Sequence, residues 1–103
     1  MILTGPEIEK QVSDNRITID PFDSRALNPN SYDLRLNDHL LVYEEEIIDV
    51  AKKNPTRVLP VSPEGLLLKG GGFYLGSSIE RVGSEHYVPV LHAKSGTARS
   101  GLF

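Results

Sequence analysis

The sequence predicts a mainly β domain of the sandwich or barrel kind, opened by one short N-terminal helix. Three observations carry that expectation. Short runs alternate apolar and polar residues, Pro, Gly, Ser and Asn break them at close intervals, and a single helix-start signal stands at Thr4-Gly5-Pro6-Glu7. The 103 residues suit one domain, 1–103, without internal repeat or linker. A chain of this size buries about two-thirds of the surface it exposes when unfolded, so its core is expected to be thin.

The helix comes first. The Thr4 hydroxyl can accept from the Glu7 amide while the Glu7 carboxylate reaches back to the Thr4 amide, a capping box. Ile8 and Val12, four apart, are its expected buried stripe, and Ser13-Asp14-Asn15 its stop. Ile17-Thr18-Ile19 alternates as a strand and is broken by Asp20-Pro21, because proline has no amide to donate. After a polar stretch, Tyr32-Asp33-Leu34-Arg35-Leu36 alternates most cleanly, with Asn37-Asp38 as a turn and His39 to Tyr43 as an antiparallel return. The residues from Ala51 to Arg57 are polar enough for an exposed loop. Further strands are expected at Val58 to Val61, Gly65 to Leu68, Gly72 to Ile79 and Tyr87 to His92. Gly70-Gly71-Gly72 precedes strand-like Phe73-Tyr74-Leu75 rather than a helix, which favours a hairpin connection over a phosphate cradle.

Apolar residues make up 39% and charged residues 24%, an ordinary globular balance. The net charge of -3 argues against binding nucleic acid through a broad basic face. No apolar run approaches the roughly 20 residues needed to cross a bilayer. Met1-Ile2-Leu3-Thr4 has no basic, apolar leader, so no membrane partner and a cytoplasmic location are expected. With no cysteine, disulfides are excluded, as is the zinc-deaminase pattern built on two cysteines and a third ligand. His39, His86 and His92 fit no compact metal-ligand spacing, and Glu44-Glu45-Glu46 reads as a solvated strand end rather than an acid–base pair.

The segment richest in chemistry is Ala93-Lys94-Ser95-Gly96-Thr97-Ala98-Arg99-Ser100-Gly101-Leu102. Lys94 and Arg99 bring positive charge, Ser95 and Thr97 hydroxyl donors, and Gly96 a close backbone approach, as a polyphosphate requires. A solvated turn with two surface cations fits that composition equally well.

Three stretches together resemble the dCTP deaminase family. Ile2-Leu3-Thr4-Gly5-Pro6-Glu7-Ile8 with Ile17-Thr18-Ile19-Asp20-Pro21 is similar to the family's opening. Asn28-Pro29-Asn30-Ser31-Tyr32-Asp33-Leu34-Arg35-Leu36 resembles a typical strand of it, and Ala93 to Leu102 resembles its Arg/Lys-Ser-Ser-x-x-x-Arg-x-Gly-Leu segment. The last stretch also suits dUTPases; the first two favour the deaminase. The resemblance implies a dUTPase-like distorted jelly-roll or β-barrel, here incomplete, working as a homotrimer with interfacial sites. It implies hydrolysis of dCTP to dUTP and ammonia without zinc, Mg2+ accompanying the triphosphate, and dTTP as an effector in some members.

By position, the resemblance makes Ser95 the serine that helps hold the attacking water and Arg99 the arginine beside the reacting nucleotide. Lys94, Ser95, Gly96, Thr97, Ala98 and Arg99 become the nucleotide-contacting loop. Lys94 stands where many members have Arg, keeping the charge but not the bidentate fork, and Gly96 replaces a second serine. In the family, the glutamate acting as general acid and base follows this segment. The chain ends at Gly101-Leu102-Phe103 in an apolar run, so it reads as the N-terminal, truncated part of such an enzyme and catalytically incomplete alone. The alternatives are a non-catalytic nucleotide-binding or assembly module on the same fold, and a dUTPase or bifunctional deaminase–dUTPase.

Overall fold

The computed structural model describes residues 1–102. Helix α1 spans Gly5–Ser13 and is followed by strand β1, Thr18–Asp20, and a 3-10 turn at Ser24–Ala26. Strands β2 (Leu36–Tyr43), β3 (Thr56–Pro60), β4 (Leu75–Ser78) and β5 (Arg81–Gly83) come next, and helix α2, Ser95–Arg99, is last. The chain is mainly β with a short N-terminal helix, as predicted. Its strands form two small antiparallel sheets, β1-β5 and β3-β2-β4, and close no barrel among the described residues. No helix among these residues is long and apolar enough to cross a membrane.

The core is thin. Among apolar side chains only Ile19 of β1, at 8% exposure, and Leu40 of β2, at 7%, are buried among the described residues. The radius of gyration is 16.4 Å, against about 13 Å for a compact domain of this length. The two sheets therefore present much of their apolar surface outward, Val58, Leu36 and Val82 included.

Helix α1 starts as its sequence dictates: Thr4 Oγ1 accepts from the Glu7 amide at 3.4 Å. The reciprocal half of the capping box is replaced, because Glu7 Oε1 accepts instead from Gln11 Nε2 at 2.7 Å. Gln11, whose Oε1 accepts from Arg16 Nε at 2.9 Å, is buried along with Gly5, while Ile8 and Val12 are half-buried. A polar side chain can occupy that position because both ends of its amide are hydrogen-bonded. Asp14 caps the C-terminus and Asn15 turns the chain at φ 57°, where the stop signal stands. The cap holds α1 in contact with the second motif: the Gly5 amide donates to Pro29 O at 2.9 Å, and a Cβ on Gly5 would lie 2.4 Å from Asn28 O.

The central region differs most from expectation. Tyr32 to Arg35 is not a laddered strand, because its backbone groups find other partners. The Asp33 amide donates to Ala26 O at 2.9 Å, the Arg35 amide to Glu80 Oε2 at 2.9 Å, and Arg35 O accepts from the Ile79 amide at 2.9 Å. Asn37-Asp38 is no turn but part of β2, where the pairing with β4 shifts register between Leu36 and Leu40. Turn-forming residues are at home in such an irregularity, where the four steps from Leu36 to Leu40 oppose only the two from Ser78 to Gly76. The antiparallel partners of β2 are therefore β4 on one side and β3 on the other, with Leu40 opposite Leu59 and Tyr43 opposite Thr56 in the pairing with β3.

Gly65 to Leu68 makes only a bridge from Gly65 to Ser62, and Tyr87 to His92 forms no strand. Neither has a neighbouring backbone to complete a ladder among the described residues. β5, absent from the sequence reading, pairs Val82 with Ile19 and so closes β1.

Candidate functional site

The predicted site residues lie together on one short element. Lys94 is the N-cap of α2, and Ser95, Gly96, Thr97, Ala98 and Arg99 are its five residues, so the expected loop is a helical turn and a half. Their spacing places Ser95 and Arg99, four apart, on one side of that turn. All six are exposed. Ala98 N donates to Lys94 O at 2.9 Å, and Ser100 Oγ donates to Gly96 O at 3.0 Å. Arg99 has no ion-pair partner among the described residues, leaving its five donors available.

Lys94 is tied to the body of the domain. Its Nζ donates to Asp33 Oδ2 at 2.6 Å, across 61 positions of sequence. Asp33 is held from its other side by Asn28 Nδ2, which donates to Oδ1 at 2.7 Å. The hydrogen bond from the Lys94 ammonium keeps the Asp33 carboxyl below the usual carboxylate range, outweighing the upward push of partial burial, and the Asn28 amide adds a smaller lowering. The second motif meets the third through this pair, and the first motif meets the second through Gly5 and Pro29.

Behind this contact stands a second ion pair. Arg35 Nε donates to Glu80 Oε1 at 2.7 Å, and the Glu80 side chain is 1% exposed where that of Arg35 is 58% exposed. Burial pushes the Glu80 carboxyl up, but hydrogen bonds from the Arg35 side chain, the Arg35 amide and its own amide together hold it below its ordinary value. Ser78 Oγ donates to Glu80 O at 2.7 Å and completes the arrangement. Glu80 thereby joins the start of β2 to the β4–β5 connection.

An open hollow of about 610 Å³ lies elsewhere, against Pro21, Phe22, Asp23, Ser24, Arg25 and Arg35, and none of the predicted site residues lines it. Its two arginines are already engaged, Arg25 with Asp23 at 2.7 Å and Arg35 with Glu80. The Arg25 guanidinium and backbone amide lower the Asp23 carboxyl to about 2. Both guanidinium charges are thus compensated and the Glu9 carboxylate also lines the hollow, so it suits an anionic ligand less well than α2 does.

Sequence reasoning quoted Asn28, Asp33 and Arg35 only as parts of a motif and missed what they do in the structure. It had no signal for Glu80. The Asp33–Arg35 alternation does separate their charges from Leu34, but nothing local to either residue names a partner 61 or 45 positions away.

Comparison with known proteins agrees with the arrangement of these motifs. The model of the dCTP deaminase-like family matches residues 2–103. The chain is 48% identical over 103 residues to a "dCTP deaminase, dUMP-forming" of Clostridium beijerinckii, covering all of this chain and 59% of that protein. The same identity and coverage hold for a "dCTP deaminase, dUMP-forming" of Leptospira biflexa. A "dCTP deaminase" of Rhodopirellula baltica is 46% identical, with 52% of that protein covered. The chain thus spans a little over half the length of these relatives. With the family match running through all three motifs that the fold draws together, the chain belongs to the dCTP deaminase-like family.

Proposed function

We propose that this chain supplies the N-terminal part of an enzyme that hydrolyses the 4-amino group of dCTP and releases ammonia. The observation that supports it most is the fixing of the third motif against the second by Lys94 and Asp33, within a chain matched by the family model over residues 2–103. In this reading the Ser95 hydroxyl helps hold the attacking water, and Arg99 lies beside the reacting nucleotide as its free cation. Lys94, the Gly96 backbone, Thr97 and Ala98 complete the contacts to the triphosphate. The proton transfers fall to a glutamate elsewhere in the assembled enzyme, a role worth about 10²–10⁴-fold. Mg2+ arrives as the counter-ion of the triphosphate, zinc takes no part, and the enzyme is a cytoplasmic homotrimer open to dTTP as an effector. The outward-facing apolar residues suit association with further chain, since a thin core gains most from added burial.

A second reading concerns the product. Two relatives at 48% identity carry "dUMP-forming" in their names, which favours a bifunctional enzyme that also cleaves the triphosphate to dUMP and pyrophosphate over one that stops at dUTP.

Incubating the full-length protein with dCTP and Mg2+, and resolving the nucleotides chromatographically beside ammonia and pyrophosphate, tests both readings. Ammonia with dUTP supports the deaminase alone; ammonia with dUMP and pyrophosphate supports the bifunctional enzyme. Nucleotide binding without ammonia would leave a binding module and overturn the proposal. Ser95→Ala and Arg99→Ala are each expected to lower turnover by at least about a hundredfold, with assembly unchanged by sedimentation. Full activity in either variant places the site elsewhere.

A further inference from the structure

We infer that Asp33 is a positioning residue that sets where the Lys94–Arg99 segment presents itself to an anionic ligand. This inference rests on the nucleotide reading above and adds to it a residue outside the contacting segment. Every residue from Val88 to Leu102 is exposed. Among the described residues, the hydrogen bond from Lys94 Nζ to Asp33 Oδ2 is the one that ties this stretch to the rest of the chain; the others in it are internal to Lys94–Leu102. A five-residue helix without a side-chain cap and with no buried residue does not hold its own place. The tether therefore decides its orientation.

Asp33 is built for that task. Its carboxylate is gripped by Asn28 Nδ2, and its amide is pinned to Ala26 O. The Asn28 amide in turn donates to Ser31 O at 2.8 Å, closing a small rigid loop beneath the carboxylate. The grip falls on Lys94, the residue directly before Ser95, so the ammonium fixes the first turn of α2 rather than its far end. An ammonium has three donors; Asp33 takes one, leaving two for phosphate oxygens. The position matters as much as the charge: Asp33 neutralises Lys94 locally, and Arg99 stays as the uncompensated cation of the segment.

The test compares the full-length protein with Asp33→Asn, Lys94→Gln, the double variant and Lys94→Arg, reading kcat/KM for dCTP, the rate of tryptic cleavage after Arg99, and melting temperature. Loss of a partly exposed ion pair predicts, for Asp33→Asn, about fivefold faster cleavage after Arg99 and about fivefold lower kcat/KM. The melting temperature should stay within a few degrees, the double variant should be no worse than Lys94→Gln, and Lys94→Arg should keep the slow cleavage. Unchanged cleavage and turnover in Asp33→Asn, or losses that add in the double variant, would overturn the inference. If Asp33→Asn melts far below the parent, Lys94→Gln decides on the same cleavage readout, because its side chain is 67% exposed. A parent protein that never turns over dCTP but is cleaved faster as Asp33→Asn would sink the nucleotide reading and leave the positioning role standing.

Discussion

Helix α1 is capped by Thr4, closed by Asp14 and buries Gly5 and Gln11, whereas α2 begins at Lys94 without a side-chain cap and buries nothing. The first is part of the body: its amide at Gly5 docks on Pro29, and its Gln11 orders Arg16. The second hangs on one ion pair. The first helix is held by several short-range contacts, and the second is left exposed and held to the body by a single tether. Low local stability is common where a segment must meet a ligand. The division also separates two kinds of charge. Glu80 is buried and holds strands together, while Arg99 is exposed with no ion-pair partner among the described residues.

The contrast is broken most severely in the body. Glu80→Gln takes the charge from a buried carboxylate that receives the Arg35 amide and side chain, and is expected to lower unfolding free energy by about 2–3 kcal/mol. Urea denaturation measures it, and a loss below about 0.5 kcal/mol would mean that the body does not depend on this pair. Gly5→Ala comes next: a Cβ 2.4 Å from Asn28 O forces α1 off the second motif, for about 1–3 kcal/mol by the same measurement.

Acid should act more gently and in a defined window. The folded-state carboxyls of Glu80 and Asp33 lie below their ordinary values. Such groups contribute stability that is fully present above the unfolded values of about 4 and is lost as pH falls through the folded ones. Urea midpoints should therefore be flat from about pH 7 to 5 and drop toward about pH 3. A midpoint that rises on acidification would contradict both assignments. The smallest effect belongs to α2. A Cβ on Gly96 meets nothing within 4 Å, so Gly96→Ala should not destabilise and should add at most about 1 kcal/mol, the gain that helix propensity sets. A loss of stability would show α2 packed against something and erase the contrast with α1.

Much of the fold and some of the site could be read from residue order. The start and stop of α1 were legible because Thr4 with Glu7, and Asp14 with Asn15, act within one turn. The composition of Lys94 to Arg99 and the three motif stretches were legible too, since side-chain chemistry and order are properties of the chain itself. β2 was misjudged: Asn37-Asp38 has strong turn character, and only strands on either side could carry it through as a bulge. Tyr87 to His92 reads as a short apolar run between turns, yet a strand exists only where another backbone completes its hydrogen bonds.

By itself the sequence determined the mainly β class, the capped first helix, the thin core and the kinship of its motifs, because each depends on neighbours in the chain or on total length. The tertiary structure alone decided that Glu80 is buried against Arg35, 45 positions away, and that Asp33 holds Lys94, 61 positions away. Local propensity reaches only a few residues. An ion pair between distant residues is chosen by the packing that brings them together, and neither side chain carries a mark of its partner.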